Sequence, residues 1–135
     1  EDSDYSRINL KDNKDLIVQK IKKAKTDTSA IPSEISGLKD RHEAANLILI
    51  YASLNNIKVE EVLKDFGGKN FSFFKSKLSE SIIEKICPIG SEIKKLLKDT
   101  TYLRTVLKKG SKKADLIAKT NIKEIYKIIG LTKFF

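Results

Sequence analysis

Polar positions almost vanish between Asn46 and Leu54. Leu47, Ile48, Leu49, Ile50, Tyr51, Ala52 and Leu54 point in every direction around a helical turn of about 3.6 residues. A helix that is apolar all round must be wrapped by other elements, so the pattern predicts Ala45–Leu54 as the most buried helix of the chain. The run is too short to cross a membrane, which takes about 20 apolar residues. Asp40 stands where it can cap this helix, with Glu43 at capping-box spacing, and acidic residues there suit the positive end of the helix dipole.

The flanking pattern is also helical. Asp12 is placed to cap a helix carrying Leu16, Ile17, Ile21 and Ala24 at three- and four-residue steps, with Asp15 at the third position. Before it, Ile8-Asn9-Leu10 alternates like a short edge strand with nothing to pair with. Thr26 to Lys39 reads as a loop of about a dozen residues, long for a compact domain. Val59 to Phe66 is a short helix with Val59, Val62, Leu63 and Phe66 inward, stopped by Gly67-Gly68. Phe71, Phe74, Leu78, Ile82, Ile86, Ile89, Ile93, Leu96 and Leu97 mark a long helix or two collinear ones, with a kink expected at Pro88. Asp99 or Thr100 caps the next helix, whose stripe of Leu103, Val106, Leu107, Gly110, Ala114, Ile117 and Ala118 is expected to be buried through about Lys119. Asn121 caps a last short helix that ends at Gly130, and the two Phe of the Leu131–Phe135 tail are expected to pack back. The fold class is all-α, a bundle of about five to seven helices.

Composition narrows the picture. With 135 residues, 40% hydrophobic and 33% charged, the chain reads as one globular domain with a core of useful size. It holds one Cys, Cys87, in the apolar run Ile86-Cys87-Pro88-Ile89, which reads as a buried free thiol and points to a reducing, cytoplasmic compartment. There is no Met and the chain starts at Glu1, so a processed product or a piece of a longer polypeptide is expected. The net charge is +9, unevenly spread. Up to Gly68 there are 11 Lys and Arg against 12 Asp and Glu, and from Lys69 onward 16 against 6. That asymmetry points to an anionic partner for the second half.

No catalytic constellation is apparent. His42 is the one His and lies at a helix start, in a solvated or capping role. One His and one Cys do not make a metal site, and Glu60-Glu61 and Glu80 with Glu84 read as solvated faces. Gly67-Gly68-Lys69 lacks phosphate-loop spacing. Catalytic, cofactor-binding and metal-ligating residues are therefore none. One surface does stand out. Arg104, Lys108, Lys112 and Lys119 cluster opposite the apolar stripe of their helix, with Lys109 and Lys113 on the flank and Lys94, Lys95 and Lys98 at the end of the preceding helix. Arg104, Lys108, Lys109, Lys112, Lys113 and Lys119 are the candidate nucleic-acid-binding residues, as contacts to a phosphate backbone, with a solvated lysine face as the alternative.

Several blocks resemble bacterial-type tryptophanyl-tRNA synthetases. Asp40-Arg41-x-Glu43 followed by Asn46-Leu47-x-x-Ile50-Tyr51-x-x-Leu54 looks like a signature of their carboxy-terminal helical domain. Ile21-Lys22-Lys23-Ala24-Lys25-Thr26-Asp27, Phe66-Gly67-Gly68-x-x-Phe71-x-x-Phe74-Lys75-x-x-Leu78 and Pro88-Ile89 are similar to further blocks, in the same order. Glu1 to Leu10 resembles the segment directly after the class I loop Lys-Met-Ser-Lys-Ser, a loop that is itself missing. A departure is His42, where the family usually has Pro.

The resemblance implies an enzyme that joins tryptophan to its transfer RNA through an adenylate made from ATP with Mg2+. Those substrates are handled by a Rossmann-type catalytic domain that this chain does not contain, so no cofactor is expected here. Residues 1–11 would be a linker or hinge from that domain, and residues 12–135 a helical tRNA-binding domain reaching the anticodon arm of tRNA(Trp). The parent enzyme is expected to be a homodimer, the isolated chain a monomer without activity, and no membrane is involved. The alternative is a freestanding helical module, with no catalytic activity, that binds nucleic acid or protein.

Overall fold

The computed structural model describes residues 3–131, and the Phe134–Phe135 end of the tail lies outside them. Among the described residues there are five α-helices and two 3-10 turns, and no strand. The helices are α1 (Lys14–Lys23), α2 (His42–Asn55), α3 (Val59–Phe66), α4 (Phe71–Lys98) and α5 (Thr100–Ile128). The fold is all-α. The chain divides into two compact units, Glu1–Ile93 and Lys94–Phe135, so α4 belongs to the first up to Ile93 and its last turn to the second.

The first unit holds the core. Ile17 and Ile21 of α1, Ala44, Leu47, Ile48 and Ala52 of α2, Val62, Leu63 and Phe66 of α3, and Phe71, Phe74, Leu78 and Ile82 of α4 are buried together. Phe74 is fully buried, and its ring lies 5.1 Å from that of Phe66, 5.5 Å from Tyr51 and 6.3 Å from Phe71. Edge-to-face rings at such spacings add attraction to the area they bury. α2 runs through this core but is not wrapped by it, because Leu49 and Ile50 are 53% and 36% exposed. Packing on one broad face left the far side of the apolar run to solvent.

Two helix starts differ from the sequence expectation. α1 is capped by Asn13, whose side chain accepts from the Leu16 amide at 2.9 Å. Asp12 instead turns inward, accepting from Lys20 Nζ at 2.7 Å and from the Asn9 amide at 2.9 Å. Its carboxylate is of more use against a buried ammonium than at a solvated cap. Lys20 is 2% exposed and also reaches Asp4 at 3.0 Å, and Asn9 donates to Asp4 at 2.8 Å. Ile8-Asn9-Leu10 is thereby a turn fastened onto α1, with Ile8 packed on the core, rather than an edge strand. At α2, Asp40 sits at φ 62° and makes no cap, Arg41 precedes the helix, and Glu43 pairs with Lys25 at 3.1 Å. Arg41 grips Asp27 through Nε at 2.9 Å and a terminal nitrogen at 2.7 Å, and donates to the carbonyls of Ala30 and Ser29. The long loop is laced down by this side chain and by Ile31, which is buried and exchanges backbone hydrogen bonds with Gly68 and Lys69.

Gly67 and Gly90 are set by close approach to neighbouring segments. A Cβ on Gly67 would lie 2.7 Å from the Leu63 carbonyl and 2.6 Å from Ser33 Oγ, so the helix stop is also a packing contact. A Cβ on Gly90 would lie 2.5 Å from the Leu10 carbonyl, where the amino-terminal turn crosses α4. α4 is continuous through Pro88, and Cys87 is half-buried at the edge of the core rather than fully enclosed.

In the second unit α5 is one helix, not two. Asp99 caps it by accepting from the Tyr102 amide at 2.8 Å. Asn121 lies inside it, and Thr120 bonds back to the Leu116 carbonyl at 3.0 Å instead of starting a new turn. The expected buried stripe is not buried: no residue of α5 is, and Val106, Leu107 and Ile117 are 48%, 72% and 64% exposed. Gly110 has nothing within 4 Å of a Cβ built on it.

The two helical glycines therefore give opposite outcomes. Gly90→Ala should destabilise the chain by roughly 1–3 kcal/mol through overpacking against backbone. Gly110→Ala should stabilise α5 by up to about 1 kcal/mol, both read by urea denaturation.

The Lys20 cluster gives a pH dependence. The Lys20 hydrogen bond, and then that of Asn9, hold Asp4 below its usual carboxylate range. Burial pushes Asp12 up, but its bonds from Lys20 and Asn9 outweigh this and its pKa falls. Burial pushes Lys20 down, and its bonds to Asp12 and Asp4 more than offset this, raising its pKa. Depressed carboxylates contribute stability that is complete above an unfolded pKa of about 3.9 and lost as pH falls through the folded value. The raised Lys20 contributes stability that is complete below about 10.4 and lost above its folded value. Lys20→Met should be less stable at pH 7 and show a shallower loss from about pH 4 to pH 2 than the unaltered chain.

Candidate nucleic-acid interface

The basic face of α5 follows from helical spacing. Arg104, Lys108 and Lys112 succeed one another at four-residue steps, about 6 Å along the axis each, and Lys119 falls on the same side. Lys109 and Lys113 sit on the flank, and all six side chains are exposed. Because α5 continues through Asn121, Lys123 and Lys127 extend the face by two more turns. The sequence reading missed them by breaking the helix at Asn121. The signal was the four-residue step Lys119, Lys123, Lys127, which only a single helix makes meaningful.

Solvent and like charge surround most of these groups. Lys119 lies 2.6 Å from Asp115, an i,i+4 pair on the surface that leaves it half engaged. Among the described residues no ion pair holds Arg104, Lys108, Lys109, Lys112 or Lys113. Lys94, Lys95 and Lys98 end α4 in the same unit, all exposed. The row is an exposed cationic surface. It can neutralise phosphates and release their counterions.

Elsewhere the described residues hold little chemistry. No group of three or more His, Cys, Asp or Glu comes together as a metal site. His42 is exposed in the first turn of α2. No helix is long and apolar enough to cross a membrane.

No protein-family model matches the chain. Individual relatives do. It is 48% identical over 129 residues to the tryptophan–tRNA ligase of Mesorhizobium japonicum, covering 96% of this chain and 36% of that protein. It is 48% identical over 128 residues to that of Rhizobium meliloti, and 41% identical over 128 residues to that of Rickettsia typhi. The chain thus spans a little over a third of the length of the curated relatives it matches, 36% to 38%. Identity at this level across almost the whole of these residues makes the chain a member of the bacterial tryptophan–tRNA ligase family.

Proposed function

We propose that the chain is the carboxy-terminal helical domain of a tryptophan–tRNA ligase and contributes binding of tRNA(Trp), at the anticodon arm, to ATP-dependent charging with tryptophan. The observation that carries this reading is the match of 96% of the chain to 36% of the length of a tryptophan–tRNA ligase at 48% identity. The basic face of α5 supports it, since eight cations on one helix suit a phosphate backbone. On this reading residues 1–11 lead from a Rossmann-type catalytic domain, residues 12–135 serve the RNA, and the parent enzyme is a cytoplasmic homodimer. ATP, Mg2+ and tryptophan belong to the catalytic domain, and the 135 residues act as a monomer. A freestanding binding module has no observation in its favour beyond the same lysines.

The first test is activity. The 135-residue chain should show no tryptophan-dependent ATP–pyrophosphate exchange, and measurable exchange by the pure chain would overturn the division of labour. The second is RNA binding. Lys108→Glu with Lys112→Glu should weaken binding of a tRNA(Trp) transcript and leave helicity by circular dichroism unchanged, because exposed substitutions usually shift stability by less than about 0.5 kcal/mol. Each phosphate neutralised adds about 0.7 to 0.9 to the slope of log affinity against log salt, so a face using four cations gives about −3 to −4 and the double variant a shallower slope. An unchanged slope would reduce the α5 face to a solvated surface.

A further inference from the structure

The first unit carries a groove of about 540 Å³ between α1 and the first turns of α4. Its polar lining includes Lys22, Thr26, Ser72, Lys75 and Ser76 together with one carboxylate, that of Glu80, and Val18 and Ile83 make apolar walls. The state of the two lysines sets it apart. Lys75 is half-buried and donates to the Ala24 carbonyl at 2.7 Å, leaving further N–H groups unused. Among the described residues no carboxylate pairs with it or with Lys22. Burial alone pushes the Lys75 ammonium below the usual lysine range. The contrast lies within the same unit: Lys20, buried for structural reasons, is flanked by two aspartates. A partly desolvated cation without a counter-ion is costly unless an anion joins it.

The hydroxyls tell the same story. Ser79, Ser81 and Ser91 of α4 are all hydrogen-bonded within the chain. Among the described residues the hydroxyls of Thr26, Ser72 and Ser76, which line the groove, have no such partner. The Glu80 carboxylate in the lining is engaged by Lys77 at 2.8 Å, and it limits how far an anion extends that way.

We infer that this groove is an oxyanion subsite that takes a backbone phosphate of RNA, with Lys22 and Lys75 supplying charge and Thr26, Ser72 and Ser76 supplying hydrogen bonds. The apolar walls accommodate the adjoining nucleoside. The inference rests on the reading that the chain binds RNA, but it concerns a different unit from the α5 face and is tested separately.

The probe is inorganic phosphate, titrated against chloride at equal ionic strength while the amide resonances of the 135-residue chain are followed by NMR. Phosphate should shift the amides of Thr26, Ser72, Lys75 and Ser76. Lys22→Gln with Lys75→Gln should abolish those shifts and weaken RNA binding about three- to tenfold, with a loss of about 0.7 to 0.9 from the salt slope. Lys108→Glu with Lys112→Glu should leave the phosphate shifts intact. Lys22→Gln alone, at an exposed position, gives the same direction should Lys75→Gln disturb the fold. No groove shifts with phosphate would overturn the subsite, even with RNA bound at α5. Groove shifts with unchanged RNA affinity and slope would assign the site to a free phosphorylated small molecule and overturn the RNA assignment. A wild-type chain that binds no RNA would overturn the functional reading and the RNA assignment together, while the phosphate titration still reports on the subsite.

Discussion

Phe74 is the residue on which the first unit closes. It is fully buried, and its ring meets Phe66 of α3, Tyr51 of α2 and Phe71 of its own helix. Three helices of very different length are thus held to one point by aromatic edges and faces. Burial of one such side chain contributes about 1.5–3 kcal/mol, a large share of the net stability of a small domain. Away from this ring, close approaches leave no room for a side chain at Gly67, against Ser33 and the Leu63 carbonyl, or at Gly90, against the Leu10 carbonyl. Those two glycines let the Ser33 loop and the Leu10 turn lie against the helices, and the loop residue Ile31 is buried in the core.

Lysine serves three physical purposes in this chain, separated by what lies around each amine. Lys20 is buried between Asp12 and Asp4 and fixes the amino-terminal turn to α1. Lys75 is half-buried, bonded to a carbonyl and, among the described residues, not paired with a carboxylate. The lysines of α5 are solvated, and their number rather than their individual setting gives them effect. Only the last kind is visible as a charge pattern in sequence. The first two look the same as any surface lysine until the fold shows their neighbours.

The block Asp40-Arg41-x-Glu43 illustrates how a family motif acquires a physical role. Arg41 reads as a helix-start residue, yet its guanidinium is a clamp on Asp27 and on two loop carbonyls. A planar fork with several donors suits this task, and Lys would not reproduce it. Phe66-Gly67-Gly68 likewise joins a core ring, a contact without space for Cβ, and a turn at φ +76°. Both motifs hold the scaffold of the first unit in shape.

The sequence alone determined whatever depends on neighbours a few residues away. The extent of α3, the Gly67-Gly68 stop, the Asp99 cap and the one-sided charge of α5 all follow from helical spacing and end chemistry. The tertiary structure decided the rest. Asp12 and Asp40 have capping residue types at capping spacing, but a buried ammonium claimed the first and a left-handed backbone removed the second. Asn121 failed to break α5, since one polar residue is a small cost against continued helical hydrogen bonding. The apolar run of α2 and the apolar stripe of α5 are both patterns that a core could cover, yet the first faces the Phe74 core and the second holds no buried residue. Periodicity states which face of a helix is able to be buried. Whether that face is covered depends on surface supplied by residues distant in sequence, and no local pattern encodes that.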